Sequence, residues 1–135
     1  MYYVISFQLM STAYPVHQEA PEPGVVLAKA VMNTARRLGL TNRDVADVLG
    51  TSEASVSRMG QGRSLRQGSA EAELGALFVR LYRSLDALVG GDDAQARAWF
   101  GAHNHHLEAV PAERVRTVEG LVDVVQYLDG IRGKL

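Results

Sequence analysis

Three histidines stand within four residues, His103, His105 and His106, in the stretch AHNHHLEAVP. Imidazole is a common metal ligand, so a zinc centre is the first chemistry to test. A structural zinc site takes four ligands, and a catalytic one takes three with an open position. Histidines at i, i+2 and i+3 in a loop do not easily all face one ion. The fourth histidine, His17, lies far away, cysteine is absent, and no carboxylate with helical metal-ligand spacing stands beside the three. The cluster therefore reads as a solvent-facing loop, with a small metallo-enzyme as the rival that metal analysis would separate. No nucleophile–base pair and no phosphate-cradling loop is visible elsewhere. The expectation is a non-catalytic chain with no cofactor and no metal.

A second set of residues points to nucleic acid. In NRDVADVLGTSEASVSRM, Ala46 falls where two helices would cross, and a larger side chain would hold them apart. Gly50 falls at the turn, where a positive φ is cheap for glycine. Val56 would pack the second helix back onto the first, with Val45, Leu49 and Met59 completing a small core. This is helix-turn-helix spacing. The second helix of such a pair enters the major groove, led by its N-terminal residues. Here those are Ser52, Glu53, Ala54 and Ser55, with Ser57 and Arg58 behind. Serine bonds base edges or phosphate, and Glu53 could accept from cytosine while repelling the backbone. Arg58, Arg63 and Arg66 are placed to meet phosphate, and Arg36, Arg37 and Arg43 are further candidates. The competing reading is a trihelical unit that packs without touching DNA, or one kept only for dimer contacts. Dimerisation is expected either way, because one such unit reads too little sequence.

Helices must position these residues. With 135 residues, the chain is long enough for one compact domain or two very small ones. Its net charge is near zero, but the segment from Pro21 to Ala70 is basic and the remainder acidic, as in a nucleic-acid-binding part joined to something else. Val25, Ala28, Val31, Met32, Ala35 and Leu38 share a helical face that Gly39 ends. Thr41 or Asn42 caps a second helix ending at Gly50, and Thr51 or Ser52 caps a third. Ser69 opens the longest amphipathic stretch, carrying Leu74, Leu77, Phe78, Leu81, Leu85 and Leu88 to Gly90-Gly91. Asp92 caps a short helix with Ala98, Trp99 and Phe100. Pro111 opens another. Thr117 caps the last, with an apolar stripe of Val118, Leu121, Val122, Val125 and Leu128, and Gly130 and Gly133 fray its end. The fold class is all-α.

The apolar start, MYYVISFQLM, alternates like a strand. It reads as a short edge strand or dimer arm, as a loosely ordered piece, or as residues ahead of a natural start at Met10. It has neither the positive region nor the cleavage site of a secretory signal, and it is too short to span a bilayer. With no cysteine, the chain suits a reducing cytoplasm and no membrane role. The expected organisation is a leader or arm over 1–24, a helix-turn-helix domain over 25–68, a connecting amphipathic helix over 69–90 and a small helical domain over 91–135.

The C-terminal part supplies Trp99, Asn104, Leu107, Pro111, Gly120, Val124 and Leu128 in order. With TSEASVSRM and RLYRSLDALVG, this series resembles the antitoxins of the Xre/MbcA/ParS type, from about Val25 to Leu135. These join an Xre-like helix-turn-helix to a small toxin-binding helical domain. The chain departs from the pattern at Glu108-Ala109, where members often carry glycine. The resemblance implies a type II antitoxin that neutralises a RES-domain toxin consuming NAD. It implies a homodimer within a higher-order toxin–antitoxin complex that binds its own operator DNA. It places the C-terminal segment in the toxin's active-site cleft, which here means Arg132, Gly133, Lys134 and Leu135. Asn104 is the loop residue of the shared motif, and an asparagine there ties the loop to its own backbone. Trp99 anchors the small core or, as a second reading, touches the partner. The rival function is a stand-alone transcriptional repressor whose C-terminal half dimerises or senses a ligand.

Overall fold

The computed structural model describes residues 20–134. The expected strand or arm, His17 and Leu135 lie outside those residues. Helix α1 spans Pro23–Leu38, α2 Asn42–Leu49, α3 Glu53–Gly60, α4 Ala70–Leu88, α5 Asp93–Gly101, α6 Pro111–Arg114 and α7 Val118–Arg132. The fold is all-α. Among the described residues the one extended pairing is an isolated bridge between Asn104 and Ala109. No helix there is long and apolar enough to cross a membrane.

Local chemistry sets the boundaries. Pro23 opens α1, where its missing N–H leaves nothing unsatisfied. Gly39 closes it in the left-handed region at φ 71°. Of the two residues that could cap α2, Thr41 does so. Its hydroxyl accepts from the Asp44 N–H at 3.2 Å, and the Asp44 carboxylate accepts from the Thr41 N–H at 2.9 Å. Ser52, rather than Thr51, caps α3. Ser69, Asp92 and Thr117 cap α4, α5 and α7 in the same way.

The apolar faces then meet in one continuous core. The helix-turn-helix core is as its spacing requires, with Ala46, Val45, Leu49, Val56 and Met59 all buried. Helix α4 is common to both halves of the molecule. It packs against α1 and α2 on the N-terminal side, and α7 lies along it in the most extensive helix pair. Phe78, Leu81 and Leu85 on α4 are completely buried, and each such side chain contributes about 1.5–3 kcal/mol of hydrophobic stabilisation. The segment after α3 folds back over the start of α1. The Leu65 N–H donates to the Gly24 carbonyl at 3.0 Å, and a Cβ on Gly24 would sit 2.2 Å from the Leu65 oxygen.

Helix α7 differs from the expected stripe in two respects. Its buried face is Gly120, Leu121, Val124, Val125 and Leu128, whereas Val118 is 59% exposed and Val122 is half-buried. The cause is Gly120, which presses against the end of α6: a Cβ there would lie 1.8 Å from the Arg114 carbonyl oxygen. That approach brings the Gly120 and Val124 side of the helix into the core beside Leu121, Val125 and Leu128. Nor does Gly130 fray the end, since the helix continues to Arg132. Leu128 is buried, and Asp129 accepts from the buried Ser84 hydroxyl at 2.9 Å while pairing with Arg80. These anchors hold the final turn.

Candidate functional site

At the front of α3, Ser52 serves as cap, its oxygen accepting from the Ser55 N–H at 3.1 Å. Its hydroxyl also donates to the Ser55 oxygen at 3.1 Å, and Arg58 donates to that same oxygen at 3.1 Å. Ser52, Ser55 and Arg58 are thus linked along the helix, with Ser55 half-buried. Glu53 and Ser57, one turn apart, are exposed, as is Arg43 in the first turn of α2. The structure therefore brings together Ser52, Glu53 and Ser55 at the leading end of α3, with Ser57 and Arg58 a turn further on, whereas Arg43 stands at the far end of α2. Arg63 is placed differently. Both its terminal nitrogens donate to one Glu71 oxygen, at 3.2 and 3.3 Å, so it latches the loop to α4. Its neighbour Arg66 is exposed.

The histidine loop folds on itself. Asn104 Oδ1 accepts from the His106 N–H at 2.9 Å and the Leu107 N–H at 3.0 Å, an Asx-type turn. His106 stacks on Tyr127, ring centroids 5.7 Å apart, and Trp99 stacks on the same tyrosine at 6.4 Å. His103 and His105 meet edge to face. Among the described residues no three metal-ligating side chains converge. Trp99 is half-buried and packs on the rim, while Phe100 beside it is fully enclosed. At the other end of this half, Arg132, Gly133 and Lys134 are exposed beyond the anchored Asp129. The His106 stack sets the Asn104 loop beside Tyr127, five residues before Arg132 on α7.

A seam between the halves was not legible in the sequence. Arg37 on α1 pairs with Asp93 on α5 at 3.5 Å, and Arg97 donates to the Arg37 carbonyl at 3.1 Å. The Tyr82 hydroxyl donates to Asp93 at 2.9 Å. Burial, then the Asp93 hydrogen bond, raises the Tyr82 pKa above the ordinary tyrosine value. Arg116 faces Asp44 and Asp47 of α2 at 4.0 and 3.9 Å. These partners lie so far apart in the chain that no local pattern announces them.

Two family models match in succession. The antitoxin Xre-like helix-turn-helix domain matches residues 17–80, and the antitoxin Xre/MbcA/ParS C-terminal toxin-binding domain matches residues 84–134. The chain belongs to the Xre/MbcA/ParS antitoxin family. No individual curated protein matches it. In this antitoxin the helix-turn-helix motif lies wholly within the first match, and the histidine loop and α7 within the second. The two matches part at residues 81–83, inside α4. The antitoxin's departure at Glu108 falls on a left-handed turn. Glu108 has φ 52°, the described non-glycine residue in the left-handed region, so the turn that glycine makes cheaply is kept at some conformational cost.

Proposed function

We propose that this antitoxin neutralises a RES-type, NAD-consuming toxin by laying its C-terminal segment, Arg132 to Leu135, into the toxin's active-site cleft. The observation that carries the reading is the end of α7. The helix is held to α4 through Ser84, Arg80 and Asp129, and it delivers Arg132 and Lys134 to solvent. Among the described residues neither cation has an ion-pair partner. A guanidinium and an ammonium on a fixed helix end suit a site built for the phosphates of NAD. Binding needs no catalytic group on this chain, which acts as a non-enzymatic partner in the cytoplasm. Asn104 shapes the loop that packs on Tyr127 of the same helix and is the second contact.

The same chain, as a homodimer in the complex, represses its own operon. Glu53, Ser57 and Arg58 face the major groove, Ser52 and Ser55 set the front of α3, and Arg43 meets phosphate. Arg63 contributes through its hold on Glu71. Exposure of Ser52, Glu53, Ser57 and Arg58 on a helix with a capped start supports the reading.

The test is co-expression of the neighbouring reading frame with and without this chain, following growth and cellular NAD. The expected result is that both fall with the neighbour alone and recover with the pair. Removal of Gly133 to Leu135 should weaken recovery while leaving the helical content unchanged, and full recovery by the shortened chain would overturn the reading. If growth alone falls and recovers, the toxin belongs to another class. If the neighbour is harmless, the stand-alone repressor takes precedence.

A further inference from the structure

Between α1 and α5, where the two halves of the antitoxin meet, lies an open cleft of about 300 Å³ lined by Asn33, Arg36, Arg37, Asp93 and Arg97. That volume is at the lower end of the range of small-ligand sites. Three guanidinium groups share it with one carboxylate. The carboxylate is moreover already engaged by Tyr82 at 2.9 Å and sits a loose 3.5 Å from Arg37. Asp86 also acts on Arg37 from outside the lining, so three guanidinium groups face two carboxylates and the cleft keeps a net positive charge. Its cations are also held in place. Arg36 donates to Asn33 on the turn before it. Arg97 donates to the Arg37 carbonyl at 3.1 Å, and its stem crosses Gly39, where a Cβ would meet Arg97 Cδ at 3.1 Å. Guanidinium groups positioned in this way match the oxygens of a phosphate, with which arginine forms paired, charge-assisted hydrogen bonds.

We propose that this cleft is a binding site for a phosphate-bearing anion, held by Arg36, Arg37 and Arg97. Arg36 and Arg37 belong to the DNA-binding half and Arg97 to the toxin-binding half, so an occupant would clamp one half to the other. The phosphate has two possible sources, a small phosphorylated molecule or a nucleic-acid backbone. The position favours the first. The cleft adjoins a second groove, through Asn33 and Arg36, that reaches Met59 and Gly60 at the trailing end of α3. The leading end, which enters the groove of DNA, is the other one. The inference does not depend on the class of toxin.

The test uses the full-length chain, with pyrophosphate as probe, followed by calorimetry and by thermal unfolding against chloride at matched ionic strength. Wild type should bind pyrophosphate and unfold at a higher temperature in its presence. Arg36→Gln with Arg97→Gln should weaken binding at least tenfold. Asp93→Asn keeps an acceptor for Tyr82 but removes the competing charge, and should tighten binding several-fold. A merely structural role for Asp93 would not produce that gain. If pyrophosphate has no effect, but the arginine pair lowers affinity for duplex DNA and reduces its salt dependence, the phosphate belongs to nucleic acid and the site stands. If chloride stabilises as much as pyrophosphate, or Asp93→Asn weakens binding as the arginine changes do, the effect is general screening and the proposal is overturned. So too if neither pyrophosphate nor DNA responds to the arginine pair.

Discussion

Tyr82 couples a single proton to the seam between the halves. Its folded-state pKa is raised, chiefly by burial, so the folded chain favours the protonated phenol. The stability this brings is fully present below the ordinary tyrosine pKa of about 10, and it is lost as pH rises through the raised folded value. Unfolding free energy, measured by urea titration, should therefore fall as pH rises from about 10 through the raised folded value. Tyr82→Phe should flatten the fall, and at neutral pH it should remove about 1 kcal/mol through the lost hydrogen bond to Asp93. An unchanged alkaline slope in the variant would place the linkage elsewhere. Glu108 makes the opposite case. Left-handed backbone costs a non-glycine residue about 1–2 kcal/mol, and glycine gives back about 0.5–1 kcal/mol through unfolded-state entropy. Glu108→Gly should accordingly raise stability by up to about 1 kcal/mol. Glu108→Val, β-branched, should lower it. Thermal melts of the pair would decide, and a wild-type-like valine variant would show that the loop relaxes freely.

The helices themselves were largely legible, because their signals are local. Thr41, Ser52, Ser69, Asp92 and Thr117 each announce a helix start within one turn, and Gly39 and Gly50 each announce an end. The helix-turn-helix core was readable for the same reason, since Ala46, Gly50 and Val56 lie within one short stretch. What the pattern could not decide was the rotation of α7. Val118, Val122, Val124 and Val125 are all apolar, and the choice among them rests on how closely Gly120 meets α6. Replacing that hydrogen by a methyl forces the helix off the Arg114 carbonyl. Gly120→Ala should thus destabilise by about 3 kcal/mol, with toxin binding lost in parallel, read by denaturation and pull-down. Ser52→Ala, which removes one cap, should cost only about 1 kcal/mol. Of the sites, the front of α3 was visible as a helix start, whereas Arg63 read as a free cation because its partner Glu71 is set by the fold.

Across the whole molecule, the charged seam was hidden from the sequence because Arg37 meets Asp93, and Arg116 meets Asp44 and Asp47, only after the chain has closed on itself. These pairs are largely exposed, and such pairs contribute at most about 1 kcal/mol each; the common apolar core joins the halves far more strongly. Equilibrium unfolding should show one transition, coincident by Trp99 fluorescence in the C-terminal half and by helical circular dichroism throughout. Two separated transitions would mean that α4 does not couple them. The sharing of α4 also constrains inheritance. A recombination crossover at the join between the two family matches would fall inside this helix. It would part Arg80, ahead of the join, from its α7 partner Asp129, and set a foreign first part of α4 against a resident α7, or the reverse. Exchange of toxin specificity between relatives should therefore carry α4 along with α7, and crossovers that survive should cluster near Ser69, ahead of the helix, rather than at the boundary between the matches.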